Sequence, residues 1–376
     1  MSNYEGEHAH QPEQKEAMVQ PEVMVVGAGV IGLSVALELQ RQGFHATVLD
    51  VVDPRDMAHQ QTSVAATGLS LAFLDPSEAT GDNDHAKQAE QIVEAGKATQ
   101  EIYAELAQNP HTTGIMEILG VELVADDEDW PEYLKELMDV EEFDAQPPVT
   151  LNSSDGSVKT YTRYYTFKTY SINTPKTLKF MADMLELEGG SFIINKGINN
   201  KKLDRDNLLA FAEETPVIDA TGMGFRELAD DPALEPVKGH SIIFRPESPV
   251  PPVSFSIDDL NLIPREDGSF IIGTLHRPND ASTIPKGDEA TEVIERVKAV
   301  LQSGPIGPFS VDPRILDDTP YIHSAGVRAN HPAGIQIRYD KDTNAITHAS
   351  GFSGVGWSVG PGIAPEIVKI SVEAGS

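Results

Sequence analysis

The stretch VMVVGAGVIGLSVALELQRQGFHATVLD, residues 23–50, decides the fold of this chain. An apolar run typical of a strand enters the glycine-rich turn GAGVIG at 27–32, and apolar residues at helical spacing follow. A second apolar run then ends at Asp50. The order of strand, glycine turn, helix, strand and acid predicts a β-α-β unit whose turn binds a dinucleotide.

The glycines and the acid of this unit have separate physical tasks. Gly27 permits the tight turn, Gly29 lets the backbone approach a pyrophosphate, and Gly32 lets the helix pack closely on the strand. Unpaired N–H groups and the positive end of the helix dipole then attract the phosphates. Asp50 is placed to accept hydrogen bonds from a ribose, which makes NADP the least expected cofactor and leaves NAD and FAD open. A glycine turn that serves packing alone is the structural alternative.

The composition excludes several classes of function. The 376 residues include 28 basic and 59 acidic ones, a formal net charge of -31, so we expect neither nucleic acid nor a membrane as partner. Cysteine is absent, which excludes disulfides, thiolate metal sites and a flavin linked through cysteine, and no metal site is predicted. Residues 1–21 are polar and lack the apolar core of a signal peptide, so we expect a disordered tail and a cytoplasmic location.

Three further segments are candidates for contact with the dinucleotide. Small residues dominate TSVAATGL at 62–69 and ATG at 220–222, and they let a backbone lie against a flat ligand. The segment GFSGVGWS at 351–358 opens the C-terminal helix and offers a second set of backbone donors. Two such helix starts in one chain suit a ligand with separated polar groups better than a phosphate alone.

The pattern of the middle region predicts a second domain. Between 237 and 273 strand-helix alternation gives way to short strands separated by turns, which indicates an antiparallel sheet. Helices are predicted at 86–108, 176–188 and 289–302. The acidic segment 126–144 is predicted to be a solvated helix or a cap over a pocket.

Six blocks of the chain resemble, in order, the landmarks of the FAD-dependent D-amino-acid oxidase family. They are residues 23–50, TSVAATGL, INTPKTLKFMADMLELEGGSF, VIDATGMGFRELADD, IPREDGSFIIGT and HASGFSGVGWSVGPG. The resemblance spans residues 22 to about 370. It implies an α/β protein with a discontinuous Rossmann-type FAD-binding domain on a parallel sheet (22–110, 171–240 and 321–376). The implied substrate domain is an antiparallel-sheet, α+β unit (111–170 and 241–320).

The resemblance also implies non-covalent FAD and a set of residues that contact it. These are Gly27, Gly29, Val30, Ile31 and Gly32 for the pyrophosphate, Asp50 and Val51 for the adenosine ribose, Gln61, Thr62, Gly68 and Leu69 for the flavin side, Ala220, Thr221 and Gly222 for the pyrophosphate and adenosine region, and Ser353, Gly354, Gly356, Trp357 and Ser358 at the flavin-facing helix start. The positive end of that helix would stabilise negative charge on reduced flavin.

The region that would hold the substrate departs from the family pattern. Members that act on amino acids clamp the substrate carboxylate with an arginine in a block resembling G-x-R-P-x-R-P. Here the block is GVRANHP at 326–332, which places His331 at the clamp position and retains Arg328. Asn261 stands where a tyrosine is usual, and Gly354 would offer its carbonyl to a substrate amine. His331 could instead be a packed loop histidine, and Arg328 could pair structurally.

The resemblance implies an oxidase that transfers hydride from a C–N substrate to flavin N5, with oxygen reoxidising the flavin to give hydrogen peroxide. The altered clamp favours a cyclic amine or a specialised metabolite over a simple amino acid. One alternative is a D-amino-acid or D-aspartate oxidase in which Arg328 and His331 hold the carboxylate. Others are a redox-neutral flavin-binding isomerase or binding module and, least favoured, an NAD-dependent dehydrogenase. A small-molecule substrate and oxygen are the expected partners, and a homodimer is compatible with the sequence.

Overall fold

The computed structural model describes residues 20–56, 62–71, 85–126, 128–152, 158–195, 204–273 and 276–374. Most of the predicted N-terminal tail and Gln61, predicted to lie beside the flavin, fall outside these residues. Within them the chain forms two sheets with helices packed around them.

The first sheet, called the parallel sheet, has six strands in the described part of the chain. From edge to edge they are β14 (Gln336–Tyr339), β15 (Ile346–Ser350), β7 (Val217–Asp219), β1 (Glu22–Val26), β2 (His45–Asp50) and β6 (Ser191–Ile194). All neighbours are parallel except β14 and β15. The carboxyl ends of β2, β1 and β7 therefore meet at one edge, where open α/β sheets bind their ligands.

The second sheet, called the large sheet, has nine strands among the described residues. Its order is β12 (Arg277–Pro278), β8 (Glu235–Phe244), β11 (Phe270–Gly273), β10 (Leu260–Pro264), β9 (Val253–Ile257), β3 (Ile115–Val124), β5 (Val158–Ile172) and β4 (Val140–Asn152), and β13 (Tyr321–Asn330) pairs with β8 along its whole length. All pairs are antiparallel except β3 with β9.

Helices of very different lengths connect and cover the sheets. They are α1 (Val30–Arg41), α2 (Thr62–Ala65), α3 (His85–Leu106), α4 (Pro110–Thr113), α5 (Glu132–Leu137), α6 (Thr174–Leu187), α7 (Arg205–Ala212), α8 (Phe225–Leu228), α9 (Gly287–Gln302), α10 (Ile315–Asp318) and α11 (Gly356–Ala374), with a short 3₁₀ turn at Gly222–Gly224.

Two clusters of buried apolar side chains hold the layers together. In the first, Val25 of β1, Leu33 of α1 and Ile363 of α11 are almost completely buried. In the second, Leu262 of β10 packs with Val297 on the apolar face of α9. Each side chain of this kind contributes about 1.5 to 3 kcal/mol when it is fully buried. The first cluster joins strands of both sheets to the helices around them, whereas the second packs the large sheet against α9.

The predicted fold class is confirmed, because a mostly parallel and a mostly antiparallel sheet are both present. The predicted helices and hairpin strands are found as α3, α6, α9, β8, β10 and β11, with ends displaced by a few residues. The prediction of a helix throughout 126–144 was wrong. Only Glu132–Leu137 is helical there, because Val140 to Asp144 pair with β5 as a strand. The predicted domain division stays a prediction, although its boundary at residue 240 falls inside β8.

Candidate active site

The glycine turn between β1 and α1 has the close contacts of a dinucleotide cradle. Gly27 has φ +106, and a Cβ atom there would lie 2.5 Å from the Ala220 carbonyl oxygen. A Cβ at Gly32 would lie 1.8 Å from the Gly27 carbonyl oxygen, so any side chain would force α1 away from the turn. At Gly29 it would lie 3.0 Å from the Ser63 hydroxyl. The backbone of the turn thus comes as close to its neighbours as glycine allows, at the edge of the parallel sheet where a dinucleotide is expected.

Asp50 is fixed beside this turn at the end of β2. Its Oδ2 accepts a hydrogen bond from the Ala28 N–H at 2.6 Å, and its Oδ1 accepts from the N–H groups of Val51 and Val52 at 2.6 and 3.2 Å. Burial raises the pKa of Asp50, and the three backbone donors oppose that shift. The carboxylate is therefore oriented before a ribose arrives, at the position predicted for it.

The segment after β7 completes this edge of the parallel sheet. The N–H and hydroxyl of Thr221 donate to Asp219 Oδ1 at 3.0 and 2.7 Å, which ties the segment to the strand. Gly222 has φ +62, and a Cβ there would meet nothing within 4 Å. Ala220 borders Gly27, as described above. Open space next to backbone groups at the meeting point of three strand ends fits the adenosine and pyrophosphate part of a dinucleotide.

The start of α11 lies against the start of α1. A Cβ at Gly356 would lie 3.6 Å from Val30 Cγ1, and one at Gly360 would lie 3.0 Å from Ile31 Cδ1. Two helix N-termini that are far apart in sequence therefore sit side by side. The Val30 N–H donates to Ser63 Oγ at 3.1 Å, and the two helix dipoles favour negative charge in the same region.

The segment 62–69 is held against both α11 and the large sheet. Thr62 Oγ1 donates to the Val327 carbonyl at 2.8 Å, and Trp357 Nε1 donates to the Ser63 carbonyl at 3.1 Å. The indole of Trp357 is buried, and its backbone carbonyl accepts a hydrogen bond from the Tyr103 hydroxyl at 2.6 Å.

The end of this segment is pinned to β5. Gly68 has φ +79; its carbonyl accepts from the Ile172 N–H at 2.7 Å, and a Cβ there would lie 2.2 Å from the Ile172 carbonyl oxygen. The carbonyl of Leu69 lies 3.5 Å from Ser358 Oγ. The segment therefore bridges the two sheets at the place where the flavin is expected.

One face of the large sheet, called the site face, looks toward the segment 62–69. On β13 a Cβ at Gly326 would lie 3.0 Å from Ala65 Cβ, and on β11 a Cβ at Gly273 would lie 2.6 Å from Thr67 Cγ2. Alternate residues of a strand share a face, and residues directly opposite each other on paired strands do too. The strand registers therefore decide which other side chains enter this space.

Arg328 lies on the site face, over Gly239. A Cβ at Gly239 would lie 3.0 Å from the guanidinium carbon and from both terminal nitrogens of Arg328. A Cβ at Gly354 would lie 3.8 Å from Arg328 Nε. The loop that carries Gly354 is held on β13, because the Ser353 N–H donates to the Ala329 carbonyl at 3.1 Å. Arg328 and Gly354, two residues predicted for the substrate site, are thus brought together.

Asn261 also lies on the site face. It is directly opposite Gly273, and its Oδ1 lies 3.6 Å from where a Gly273 Cβ would be. That oxygen is buried and accepts no hydrogen bond from any residue in the described part of the chain. A buried carbonyl oxygen of this kind needs a donor from elsewhere.

Glu122 of β3 is a site-face residue that the sequence did not reveal. It is opposite Ser256 of β9, which is in turn opposite Asn261. Burial raises the pKa of Glu122 to about 8, and a hydrogen bond with Ser256 opposes the shift. Glu117 and Glu122 are five positions apart, so the alternation of side chains along β3 places them on opposite faces of the sheet. The sequence does not say which of these faces is internal, and it therefore could not single out Glu122.

His331 lies at the end of β13 and is 7% exposed. Its Nδ1 accepts from the Ala333 N–H at 3.0 Å, so the proton of the neutral ring belongs on Nε2, which lies 3.6 Å from Asp231 Oδ2. Burial lowers the pKa of His331. Both ring nitrogens thus face groups of the chain itself, an arrangement that favours the packed-histidine alternative.

The opposite face of β8 is anchored by a buried ion pair. Lys238 is fully buried, and its Nζ donates to Glu289 Oε2 of α9 at 3.1 Å and to the Ile284 carbonyl at 3.0 Å. A lysine in this position is stabilised by its paired carboxylate. The strand that carries Gly239 is therefore held firmly under Arg328.

Among the residues that the structure describes, no group of His, Asp or Glu side chains is arranged to hold a metal ion. No helix there has the length and apolar character needed to cross a membrane.

Comparison with known proteins agrees with this architecture. The family model DAO, described as FAD dependent oxidoreductase, matches residues 22–370. A D-amino-acid oxidase of Streptomyces coelicolor is 25% identical over 362 residues, which cover 93% of this chain and 96% of that protein. A D-aspartate oxidase of Talaromyces thermophilus is 23% identical over 379 residues, with 93% and 95% covered.

Solved structures share the fold. Glycine oxidase of Geobacillus kaustophilus superposes with a TM-score of 0.67 at 14% identity, covering 95% of this chain and 96% of that chain. Glycine oxidase of Bacillus cereus gives a TM-score of 0.66 at 15% identity, with 94% and 95% covered. The glycine cradle, the paired helix starts and the match along nearly the whole sequence lead to one conclusion. The chain belongs to the DAO family of FAD-dependent oxidoreductases.

Proposed function

We propose that this enzyme oxidises the C–N bond of an amine that also carries a carboxylate, and that Arg328 holds that carboxylate. The observation that carries the proposal is the position of the Arg328 guanidinium, over Gly239 and beside Gly354, on the face directed at the flavin segment 62–69. A guanidinium binds a carboxylate through two parallel hydrogen bonds, which fixes the orientation of the bound molecule.

The other residues of the site would position the amine. The Gly354 carbonyl, beside Arg328, can accept a hydrogen bond from the substrate nitrogen. Asn261 Oδ1, a second acceptor on the same face, lies two strands away from Gly239 and would meet a group farther along the substrate. A substrate held at its carboxylate and at its nitrogen has little freedom left, and such orientation supplies a large part of catalysis.

Bound FAD would take a hydride from the carbon that bears the nitrogen, leaving an imine, and would return two electrons to oxygen as hydrogen peroxide. The chain's own contribution is electrostatic: the N-terminus of α1 would favour the negative charge of the pyrophosphate, and that of α11 would favour negative charge on the reduced ring. The residues that would hold the cofactor are those of the glycine turn, Asp50, the segments 62–69 and 220–222, and the start of α11.

The sequence favours a substrate without a carboxylate only if His331 is the residue at the clamp position. Since both nitrogens of His331 face Ala333 and Asp231, that preference loses its support, and Arg328 becomes the better anchor. Relatives named D-amino-acid oxidase and D-aspartate oxidase point the same way. Cyclic amines that carry a carboxylate remain within the proposed class.

The test compares matched substrates on the FAD-loaded enzyme. Both enantiomers of several amino acids, a cyclic imino acid and the corresponding decarboxylated amines are mixed anaerobically with enzyme, and flavin absorbance is followed. Peroxide is then measured in air. We expect the flavin to be bleached and peroxide to form only with carboxylate-bearing amines. Equal bleaching by decarboxylated amines would refute the anchor, and binding without bleaching would indicate a redox-neutral role.

A further inference from the structure

A row of polar side chains crosses the site face away from Arg328. The strand registers place Glu122 opposite Ser256, and Ser256 opposite Asn261. All three therefore project from the same face of the sheet, on neighbouring strands. Asn261 is next to Gly273, which contacts Thr67 of the flavin segment. The row thus runs outward from the place where the proposed chemistry occurs.

The row presents two acceptors without donors. Glu122 Oε2 and Asn261 Oδ1 are both buried, and neither receives a hydrogen bond from any residue that the structure describes. Burying such an acceptor unpaired costs about 1 to 3 kcal/mol, and more if it is charged. Two of them in one row indicate that a bound molecule brings the donors.

We infer that Glu122, assisted by Asn261, makes the enzyme select substrates that bear an amine or another hydrogen-bond donor at the end remote from the carboxylate. The inference rests on the proposed function, since it takes Arg328 as the carboxylate anchor. A terminal ammonium would satisfy Glu122 Oε2 by a charge-assisted hydrogen bond. An acidic end group would gain no such bond, and it would be repelled at the higher pH at which Glu122 loses its proton.

The spacing of the strands sets the length of such a substrate. Glu122 on β3 and Gly239 on β8, beneath the guanidinium, are four strand intervals apart, about 19 Å between backbones. The hydrogen bond to Ser256 draws the Glu122 carboxylate toward Arg328 and shortens this span. An unbranched chain of several carbons would bridge the remainder, whereas a short amino acid would reach only one end.

The surroundings reinforce selection for a cation. Asp258, in the turn after β9, adds negative charge near Glu122, although Lys159 Nζ lies 3.4 Å from its Oδ1 and the Tyr161 hydroxyl donates to its Oδ2. Tyr165, opposite Glu122 on β5, is neutral at physiological pH, and its hydroxyl is engaged with Glu142 of β4. Negative charge near the row favours a positively charged ligand and disfavours a second carboxylate.

Ligand binding tests the inference without requiring turnover. The FAD-loaded enzyme is titrated calorimetrically with octanoate, 8-aminooctanoate and octanedioate, three carboxylates of equal length that lack an oxidisable α-amine. We expect 8-aminooctanoate to bind at least about tenfold more tightly than octanoate, and octanedioate to bind most weakly. The same order should appear in the perturbation of the flavin absorbance.

Matched variants identify the residue responsible. Glu122→Gln keeps the shape of the side chain and should bring octanoate and 8-aminooctanoate to within about threefold of each other. Glu117→Gln on the same strand, an exposed residue paired with Lys168, should keep the wild-type preference. In Ser256→Ala, Glu122 stays in place but loses its hydrogen bond. This variant should still bind 8-aminooctanoate more tightly than octanoate, by a smaller factor than the wild type.

The pH dependence adds a separate readout. Because the pKa of Glu122 is raised to about 8, more of it becomes anionic as the pH rises from 6 to 8. The Kd of 8-aminooctanoate should then fall by up to about tenfold per pH unit, and this slope should vanish in Glu122→Gln. Equal affinities for octanoate and 8-aminooctanoate would overturn this inference and leave the proposed function intact. If none of the three carboxylates bound, both the inference and the proposed function would be refuted.

Discussion

The guanidinium of Arg328 covers Gly239 so closely that a methyl group on Gly239 would lie 3.0 Å from its carbon and both terminal nitrogens. The two residues belong to β13 and β8, which pair along their whole length, so this contact is set by the backbone. A larger residue here would press on the guanidinium, which would have to move by a few tenths of an ångström or more. Because Gly239 has no side chain, the arginine side chain can lie along the sheet next to the segment 62–69.

The variant Gly239→Ala tests this geometry. The added methyl should displace the guanidinium and weaken binding of carboxylate ligands by at least about tenfold, near 1.4 kcal/mol, while FAD is retained. Calorimetric titration with octanoate measures the effect. Gly287→Ala, where a Cβ would meet nothing within 4 Å, is the matched control and should bind normally.

The cradle is tested by Gly32→Ala. Since a Cβ there would lie 1.8 Å from the Gly27 carbonyl oxygen, α1 must shift away from the turn and the pyrophosphate loses its backbone donors. We expect purified Gly32→Ala to carry little or no flavin, as judged by absorbance near 450 nm. Gly287→Ala should be as yellow as the wild type. A fully loaded Gly32→Ala protein would show that the close contact has no role in cofactor binding.

His331 is expected to act through packing. In His331→Asn the new side chain can still accept from the Ala333 N–H but loses Asp231, so stability should fall by about 1 kcal/mol with little change in carboxylate affinity. Denaturant unfolding and octanoate titration measure the two quantities. His331→Arg should likewise fail to strengthen carboxylate binding. A clear gain in affinity in His331→Arg would restore His331 to the substrate site.

Glu122 should impose a stability cost that grows with pH. Its pKa is raised to about 8, so the folded state keeps the proton while the unfolded state loses it near the ordinary value of 4.5. Stability therefore falls as the pH rises from about 4.5 to 8. Glu122→Gln has no proton to lose, and its advantage over the wild type should grow across this window toward about 4 kcal/mol. Denaturant unfolding at several pH values would show a constant difference if Glu122 titrated normally.

Much of the fold follows from local pattern. The glycine turn with its flanking strands predicted the parallel sheet, and the helix predicted at 176–188 is α6, Thr174–Leu187. Two strands of the large sheet gave no such signal. β13, YIHSAGVRAN, lacks apolar alternation, and its Gly326 faces the segment 62–69. β9 follows the proline-rich stretch 246–252.

The site was harder to predict than the fold, because strand registers decide it. A block of seven residues, 326–332, contains both Arg328 and His331, and the pattern alone assigned the clamp to the second. Arg328 reaches the site face through the pairing of β13 with β8, and Glu122 through the register of β3 with β9. These pairings join Arg328 to Val237, 91 positions away, and Glu122 to Ser256, 134 positions away, so local sequence carries no record of them.

The most direct test of the account is the affinity of FAD-loaded Arg328→Leu for a carboxylate. Octanoate is titrated calorimetrically into this variant, and into Arg314→Leu, which removes an exposed arginine paired with Asp312. We predict that Arg328→Leu binds octanoate at least about a hundredfold more weakly than the wild type, with its flavin content unchanged, and that Arg314→Leu binds normally. Wild-type affinity in Arg328→Leu would contradict the claim that Arg328 holds the substrate carboxylate.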